Sequence, residues 1–193
     1  DDNITIDLNG HTVDGIGLGA GVRNEGFAFV TVRNGTIQEF DQGVLLGPGT
    51  QINVVEDLTA QSNQVAGVEL TGAGSGNQVR DNTLLDNSIA VLLDGSSGNT
   101  VSSNTASGGG NMGIVLVAAS GNTLLTNSIT GTGDGGIELS QASHTNRIEG
   151  NVVTATGDAG IAVSDSDGNE LLSNTSSGNS DAGISLSTAN GGL

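Results

Sequence analysis

The sequence predicts an all-β solenoid, a parallel β-helix of about eight coils with roughly 23 residues and three short strands per coil. Two motifs repeat at that period. Gly-Asn-x-apolar-x-x-Asn occurs at 76–82, 98–104, 121–127 and 168–174, and the segment 145–151 differs from it only in its first residue. Gly-apolar-x-apolar begins at positions 43, 67, 113, 136, 160 and 183, with Ala90 in the remaining place.

Each unit divides into strands separated by Asn or Gly, residues that suit tight turns and positive φ. In one unit the strands are predicted at 123–125, 128–130 and 137–139. Nothing in a unit is long enough for a capped helix. Stacked coils align their apolar residues in inward columns: Val79, Val101, Leu124, Ile148 and Leu171; Ile114, Ile137, Ile161 and Ile184; Leu116, Leu139, Val163 and Leu186.

A corner column of amide side chains is predicted at spacings of 22 to 25 residues, formed by Asn9, Asn34, Asp57, Asn82, Asn104, Asn127, Asn151 and Asn174. An Asn side chain both donates and accepts, so stacked copies can hydrogen-bond to each other and to the turn backbone. Asp57 is the exception, since an ionised carboxylate cannot donate. We expect this column to be a structural ladder.

The segment 7–15, Asp-Leu-Asn-Gly-His-Thr-Val-Asp-Gly, and the two later repeats resemble the right-handed parallel β-helix repeat family of the pectin-lyase-like superfamily. The leucine-rich repeat also has a fixed Asn, but its Leu pattern and helical return segment are missing here. The resemblance covers nearly the whole chain and implies the right-handed fold. It leaves function open, because the superfamily includes polysaccharide lyases, hydrolases, epimerases, surface proteins and a periplasmic family linked to copper-enzyme maturation.

Charge excludes two classes of partner. Four Arg, no Lys and 21 acidic residues give a formal charge of -17, which argues against nucleic acid, since cationic side chains supply most of that affinity. The charge also repels anionic membranes, and no apolar run is long enough to insert in a bilayer. An acidic surface without Lys further suggests adaptation to high salt.

The outward positions of the last strand in each coil bear on catalysis. They read Leu45, Glu69, Leu92, Val115, Glu138, Ala162 and Ser185, without the cations that a polysaccharide lyase needs. Arg80 and Arg147 lie three coils apart, so we interpret both as partners of nearby carboxylates. His11 and His144 are too distant in coil number to share a ligand, and we interpret Phe27, Phe29 and Phe40 as core or end residues.

Carboxylates supply the remaining candidates. One acidic or amide residue lies three positions before the first apolar residue of several Gly-apolar-x-apolar motifs: Asp41, Asn111, Asp134, Asp158 and Asp181. Asp134, Asp158 and Asp181 should occupy successive coils. Three interpretations stay open: each caps its own turn, they share calcium or another cation, or they form a general acid and base.

We therefore hypothesise one β-helix domain over 1–193, a non-catalytic extracellular or cell-surface module with a structural or glycan-facing role. A polysaccharide hydrolase, lyase or epimerase is the alternative. No cofactor other than a cation is expected, and the expected partners are a polysaccharide or neighbouring domains of the same chain. The strand pattern starts at once, and 190–193 carry no capping helix, which suggests a segment of a longer protein or a rod that associates end to end.

Overall fold

The computed structural model describes residues 2–188, which form a parallel β-helix of eight coils with three faces. Faces 1 and 2 are joined in a 14-stranded sheet, and face 3 is an eight-stranded sheet. Every pair of neighbouring strands is parallel and belongs to successive coils. The predicted fold is confirmed.

The strand bounds follow the coils. Face 1 contains β1 (Thr5–Asp7), β8 (Gln78–Arg80), β11 (Thr100–Ser102), β14 (Thr123–Leu125), β17 (Arg147–Glu149) and β20 (Glu170–Leu172). Face 2 contains β2 (Thr12–Asp14), β9 (Thr83–Leu85), β12 (Thr105–Ser107), β15 (Ser128–Thr130), β18 (Val152–Thr154) and β21 (Thr175–Ser177). Two longer strands, β4 (Thr31–Gln38) and β6 (Val54–Gln61), turn the corner and belong to both faces.

Face 3 contains β3 (Ala20–Asn24), β5 (Gln42–Leu46), β7 (Ala66–Thr71), β10 (Ile89–Asp94), β13 (Met112–Val117), β16 (Ile137–Ser140), β19 (Ile161–Ser164) and β22 (Ile184–Ser187). Coils 2 and 3 thus have two strands rather than the predicted three.

The core is a set of axial columns, as the apolar spacing predicted. Val79, Val101 and Leu124 are fully buried and pair in register on face 1. Each apolar residue is buried by the coils above and below it, which is how a one-dimensional repeat protein stabilises its units. In the last coil the predicted inward residues are less buried, and Ile184 and Leu186 are 50% and 74% exposed.

The Gly of the Gly-apolar-x-apolar motif is a site of close packing rather than of unusual φ. At Gly136 a Cβ atom would overlap the Val153 side chain and approach the Gly160 carbonyl. Gly113 is confined in the same way by Ile129 and the Gly136 carbonyl. The recurrent glycine therefore lets face 3 approach face 2 where the two meet.

A buried stack of asparagines lines the corner between faces 1 and 2. The Oδ1 atom of Asn127 accepts from the backbone N–H and the Nδ2 of Asn104, both at 3.0 Å, and its Nδ2 donates to Asn151 Oδ1 at 2.9 Å. The same bonds join Asn82, Asn104, Asn127, Asn151 and Asn174. Five of the eight predicted positions are therefore stacked.

The prediction is wrong for Asn9, Asn34 and Asp57. These three residues are exposed, with φ of 48°, 61° and 50°. The position in line with the stack belongs to Gly35, which is half-buried, and Leu58, which is buried, each one residue later, and Leu58 N–H donates to Asn82 Oδ1. Because Gly35 and Leu58 pair through their backbones, β4 and β6 continue through the corner without a break.

Candidate functional site

The outward column of face 3 runs in register through Leu45, Glu69, Leu92, Val115, Glu138, Ala162 and Ser185, as predicted. The structure adds Arg23 at its start, paired with Leu45 in register and with Glu25 in an ion pair at 3.3 Å. No Lys or His occupies this column, so face 3 presents no cluster of basic groups.

Glu69 is the one orphaned acid of face 3 among the described residues. Its Oε1 accepts a hydrogen bond from Thr71, but its Oε2 is shielded from water without any partner. Leu45 and Leu92 are its neighbours on the adjoining strands. A carboxylate oxygen shielded in this way is destabilising unless a donor reaches it.

The acidic column of the sequence prediction does form. Asp158 N–H donates to the Asp134 carbonyl at 3.1 Å, and Asp181 N–H donates to the Asp158 carbonyl at 3.5 Å. All three side chains are exposed, and no described residue donates to their carboxylates. Turn capping by these three is therefore not observed. Asp41 accepts the Gly19 N–H at 2.8 Å, a bond to the preceding coil rather than a cap of its own turn.

Cation binding and catalysis by Asp134, Asp158 and Asp181 remain predictions. Between residues 2 and 188 no group of three or more His, Cys, Asp or Glu side chains is arranged to hold a metal ion.

Face 1 is the charged face of the rod. Its two outward columns contain seven charged residues among sixteen positions: Asp7, Arg33, Glu56, Arg80, Arg147, Glu149 and Glu170. They are ion-paired, with Arg33 bonded to Asp7 at 3.0 Å, Arg80 to Glu56, and Arg147 to Glu149 at 2.8 Å. The predicted pairing of Arg80 and Arg147 with nearby carboxylates is confirmed. Contact with Glu149 also raises the pKa of Arg147.

Face 2 differs from both other faces. We define the hydroxyl strip as its two outward columns, which run in register along the rod. The first column is Thr12, Thr36, Thr59, Thr83, Thr105, Ser128, Val152 and Thr175, and the second is Asp14, Gln38, Gln61, Leu85, Ser107, Thr130, Thr154 and Ser177. Eleven of these sixteen residues carry a hydroxyl group, and Asp14 alone is charged.

The two columns of the hydroxyl strip differ in their hydrogen bonding. In the second, Gln38 Nε2 donates to Asp14 Oδ1 at 2.9 Å, Gln61 Nε2 to Gln38 Oε1 at 2.7 Å, and Thr154 Oγ1 to Thr130 Oγ1 at 3.1 Å. In the first, no hydroxyl bonds to any other group within the described part of the chain. A row of unengaged hydroxyl groups therefore runs along the rod from coil 1 to coil 8, interrupted by Val152 in coil 7.

Acidic residues lie at the corners that border the strip in coils 2 to 4, but not in coils 5 to 8. In coils 2 to 4 the exposed corner residues include Glu39, Asp57, Asp81 and Asp86, all at positive φ. In coils 5 to 8 the same two corner columns are uncharged, with Ser103, Thr126, Gly150 and Ser173 on one side and Gly108, Gly131, Ala155 and Gly178 on the other.

The strip was missed by sequence reasoning, although a signal for it exists. The stacked asparagines Asn82, Asn104, Asn127 and Asn174 are each followed directly by Thr or Ser. A second buried Asn stack, formed by the first Asn of the Gly-Asn motif, was also missed; it joins Asn53, Asn77, Asn99, Asn122, Asn146 and Asn169. Phe27 and Phe29, expected in the core or as end residues, are exposed, while Phe40 packs against the core.

Solved structures with the same fold include enzymes and an adhesin. A mutant of the periplasmic alginate epimerase AlgG superposes with a TM-score of 0.79 at 20% identity, over 85% of this chain and 39% of the epimerase. The A-module of the Azotobacter vinelandii mannuronan C-5 epimerase AlgE4 gives 0.74 at 18%, over 95% and 55%. The Streptococcus pneumoniae surface protein and adhesin PfbA gives 0.65 at 11%, over 96% and 67%.

The chain thus spans 39% and 55% of the two epimerase chains. At these identities the likeness establishes the class, a parallel β-helix protein. A family model described as periplasmic copper-binding protein (NosD) matches residues 11–152 and 132–192, and the chain belongs to that family. No curated protein sequence matches the chain.

The residues of this chain do not fit a copper ion. Protein copper sites use Cys thiolate, Met thioether and imidazole ligands. Here Cys is absent, and the single Met, Met112, accepts the Gly135 N–H on its Sδ at 3.0 Å. His11 lies in coil 1, whereas His144 lies after coil 6 with its Nδ1 accepting the Asp167 N–H at 2.7 Å. Between residues 2 and 188, therefore, thioether and imidazole groups are not assembled into a copper site.

Proposed function

We propose that this chain is a non-catalytic β-helix module, located outside the cytoplasm, that binds a glycan through the hydroxyl strip. The observation that carries the proposal is the unengaged hydroxyl column from Thr12 to Thr175 on a face with one charge, in a chain of net charge -17. A hydroxyl group offers one donor and two acceptor positions, which matches the hydrogen-bonding capacity of a sugar.

The comparisons support a location outside the cytoplasm and a role with glycans. The family is described as periplasmic, and the structural neighbours include a periplasmic enzyme of alginate and a surface adhesin. Kinship with the wider pectin-lyase-like superfamily is part of the proposal. Residues 2–188 include no helix of the length and apolarity needed to cross a membrane.

A polysaccharide-modifying enzyme is the second candidate, and the column of Asp134, Asp158 and Asp181 favours it. Their backbones bond from coil to coil, so the three residues follow one another at about 4.8 Å along the axis. A general acid and a general base taken from two neighbouring coils would suit such a reaction. This assignment requires turnover that depends on at least one of the three residues.

One experiment separates the two candidates. The protein is incubated with xylan, glucomannan, alginate and polygalacturonate, with calcium or chelator, while binding, new reducing ends and unsaturated uronate absorbance are measured. We expect binding without turnover. Turnover that is lost in Asp158→Asn would establish the enzyme and overturn the non-catalytic proposal.

Matched variants test the face. The double variant Thr83→Glu with Thr105→Glu places two charges in the strip, in coils 4 and 5. The matched double variant Thr100→Glu with Thr123→Glu places two charges on face 1, in coils 5 and 6. We expect the first pair to weaken binding at least tenfold and the second to change it less than twofold. Equal effects would contradict the assignment of the face.

A further inference from the structure

We propose that the hydroxyl strip selects a neutral, extended polysaccharide and holds it parallel to the rod axis, with about one sugar residue per coil. This inference rests on the glycan-binding function proposed above and adds the charge class, the orientation and the length of the ligand.

The shape of the strip determines the orientation. Across the strand it is two residues wide, roughly 6.7 Å between positions such as Thr105 and Ser107. Along the axis it crosses eight coils, and seven steps of about 4.8 Å make a length of about 34 Å. A linear polymer can contact more than one or two strip residues only if it runs lengthwise.

The repeat distance determines the register. Successive hydroxyls of the first column, such as Thr83, Thr105 and Ser128, lie one coil apart, about 4.8 Å. A sugar in an extended 1,4-linked chain advances by nearly the same distance. The chain and the rod therefore advance by about one sugar per coil, and because successive sugars of a 1,4-linked chain are rotated about its axis, different hydroxyl groups of neighbouring sugars meet the Thr and Ser of successive coils.

Charge determines the class of glycan. Glu39, Asp57, Asp81 and Asp86 border the strip in coils 2 to 4, and no Lys or Arg lies within it. A uronate chain would place one carboxylate per sugar beside these groups, and like charges at such separations repel. A neutral chain meets no such repulsion. The expected ligand thus differs in charge from the alginate named for the structural neighbour.

The test is a length series measured by calorimetry. Neutral β-1,4-linked xylo- and manno-oligosaccharides of two to ten sugars are compared with oligogalacturonides of the same lengths, at low and at molar NaCl. We expect the affinity for at least one neutral series to rise at least tenfold between three and seven sugars and to level off near eight, since each added hydrogen bond contributes a modest net amount. Uronates should bind more weakly, and salt should narrow the difference.

Each outcome has a separate meaning. An affinity that levels off at two or three sugars would replace the axial register with a single-sugar site and overturn the inference alone. Tighter binding of uronates at low salt would overturn the neutral class alone. No binding of any oligosaccharide or polysaccharide would overturn the proposed function itself. The double variant Thr83→Val with Thr105→Val loses two hydroxyl groups but keeps β-branched side chains. If its affinity rose with oligosaccharide length as that of the wild type does, the ligand would have to bind elsewhere.

Discussion

Replacing Asn127 by Ala removes the central member of the buried Asn stack. Its Oδ1 accepts two hydrogen bonds from Asn104, and its Nδ2 donates to the Val101 carbonyl and to Asn151 Oδ1, each at 2.9 Å. The residue is 1% exposed, so water cannot replace these bonds in the folded protein. Truncation therefore leaves the Asn104 N–H without an acceptor and deprives the Val101 carbonyl of a donor.

The magnitude follows from those buried groups. Each polar group left unsatisfied costs about 1–3 kcal/mol, and the shared partners make the two costs less than additive, so we expect a loss of about 2–4 kcal/mol. The control is Asn111→Ala, because Asn111 is exposed and makes one side-chain bond, to Ser88 Oγ at 2.9 Å. Its expected loss is below about 0.5 kcal/mol.

Urea unfolding followed by far-ultraviolet circular dichroism measures both variants. The Asn127→Ala midpoint should fall clearly below that of the wild type, and the Asn111→Ala midpoint should stay near it. A loss below about 1 kcal/mol for Asn127→Ala would refute the reasoning, because it would mean that the stack contributes no more than an exposed amide does. Equal losses for the two variants would refute it as well.

Three further outcomes are expected. Glu69→Leu removes the orphaned carboxylate between Leu45 and Leu92 and should stabilise the fold by about 1 kcal/mol. The control is Glu138→Leu in the same column. A urea midpoint of Glu69→Leu no higher than that of the control would contradict this expectation. The pKa of Asp7 is lowered, mainly by the hydrogen bond from the Asn9 backbone and also by those from Asn34 and Arg33. The ionised Asp7 carboxylate therefore stabilises the fold above about pH 4, and this contribution is lost as the pH falls through the lowered pKa. The difference in urea midpoint between wild type and Asp7→Asn should shrink from pH 7 to pH 2. Molar NaCl should raise the melting temperature by screening the net charge of -17, and an unchanged or lower temperature would argue against adaptation to salt.

The period and the inward columns could be read from the sequence because both depend on short-range spacing. Val101 and Leu124 recur at a distance that only a stacked coil explains, and their burial follows from alternation along each strand. The sequence wrongly extends the corner column to Asn34 and Asp57, because in coils 2 and 3 the stacked position falls one residue later. That shift of one residue places Asn34 and Asp57 at the exposed turn position. The 25-residue interval from Asp57 to Asn82 is the trace of that shift.

The candidate site could be predicted only in part. Asp134, Asp158 and Asp181 were placed in successive coils correctly, since their spacing equals the coil length. The hydroxyl strip escaped because Thr and Ser are frequent throughout the chain, and their meaning depends on which neighbours are charged. Only the three-dimensional register shows that the carboxylates concentrate on faces 1 and 3 and on the corners, away from face 2. The prediction about 190–193 lies outside the described residues.

The most direct test of glycan binding by face 2 is a nuclear magnetic resonance titration of protein labelled at threonine methyl groups, using a neutral polysaccharide that binds. We expect shifts at Thr83, Thr105 and Thr175, which point outward from face 2, and none at Thr100 and Thr123, which point outward from face 1. Shifts confined to Thr100 and Thr123, or to residues of face 3, would contradict the account.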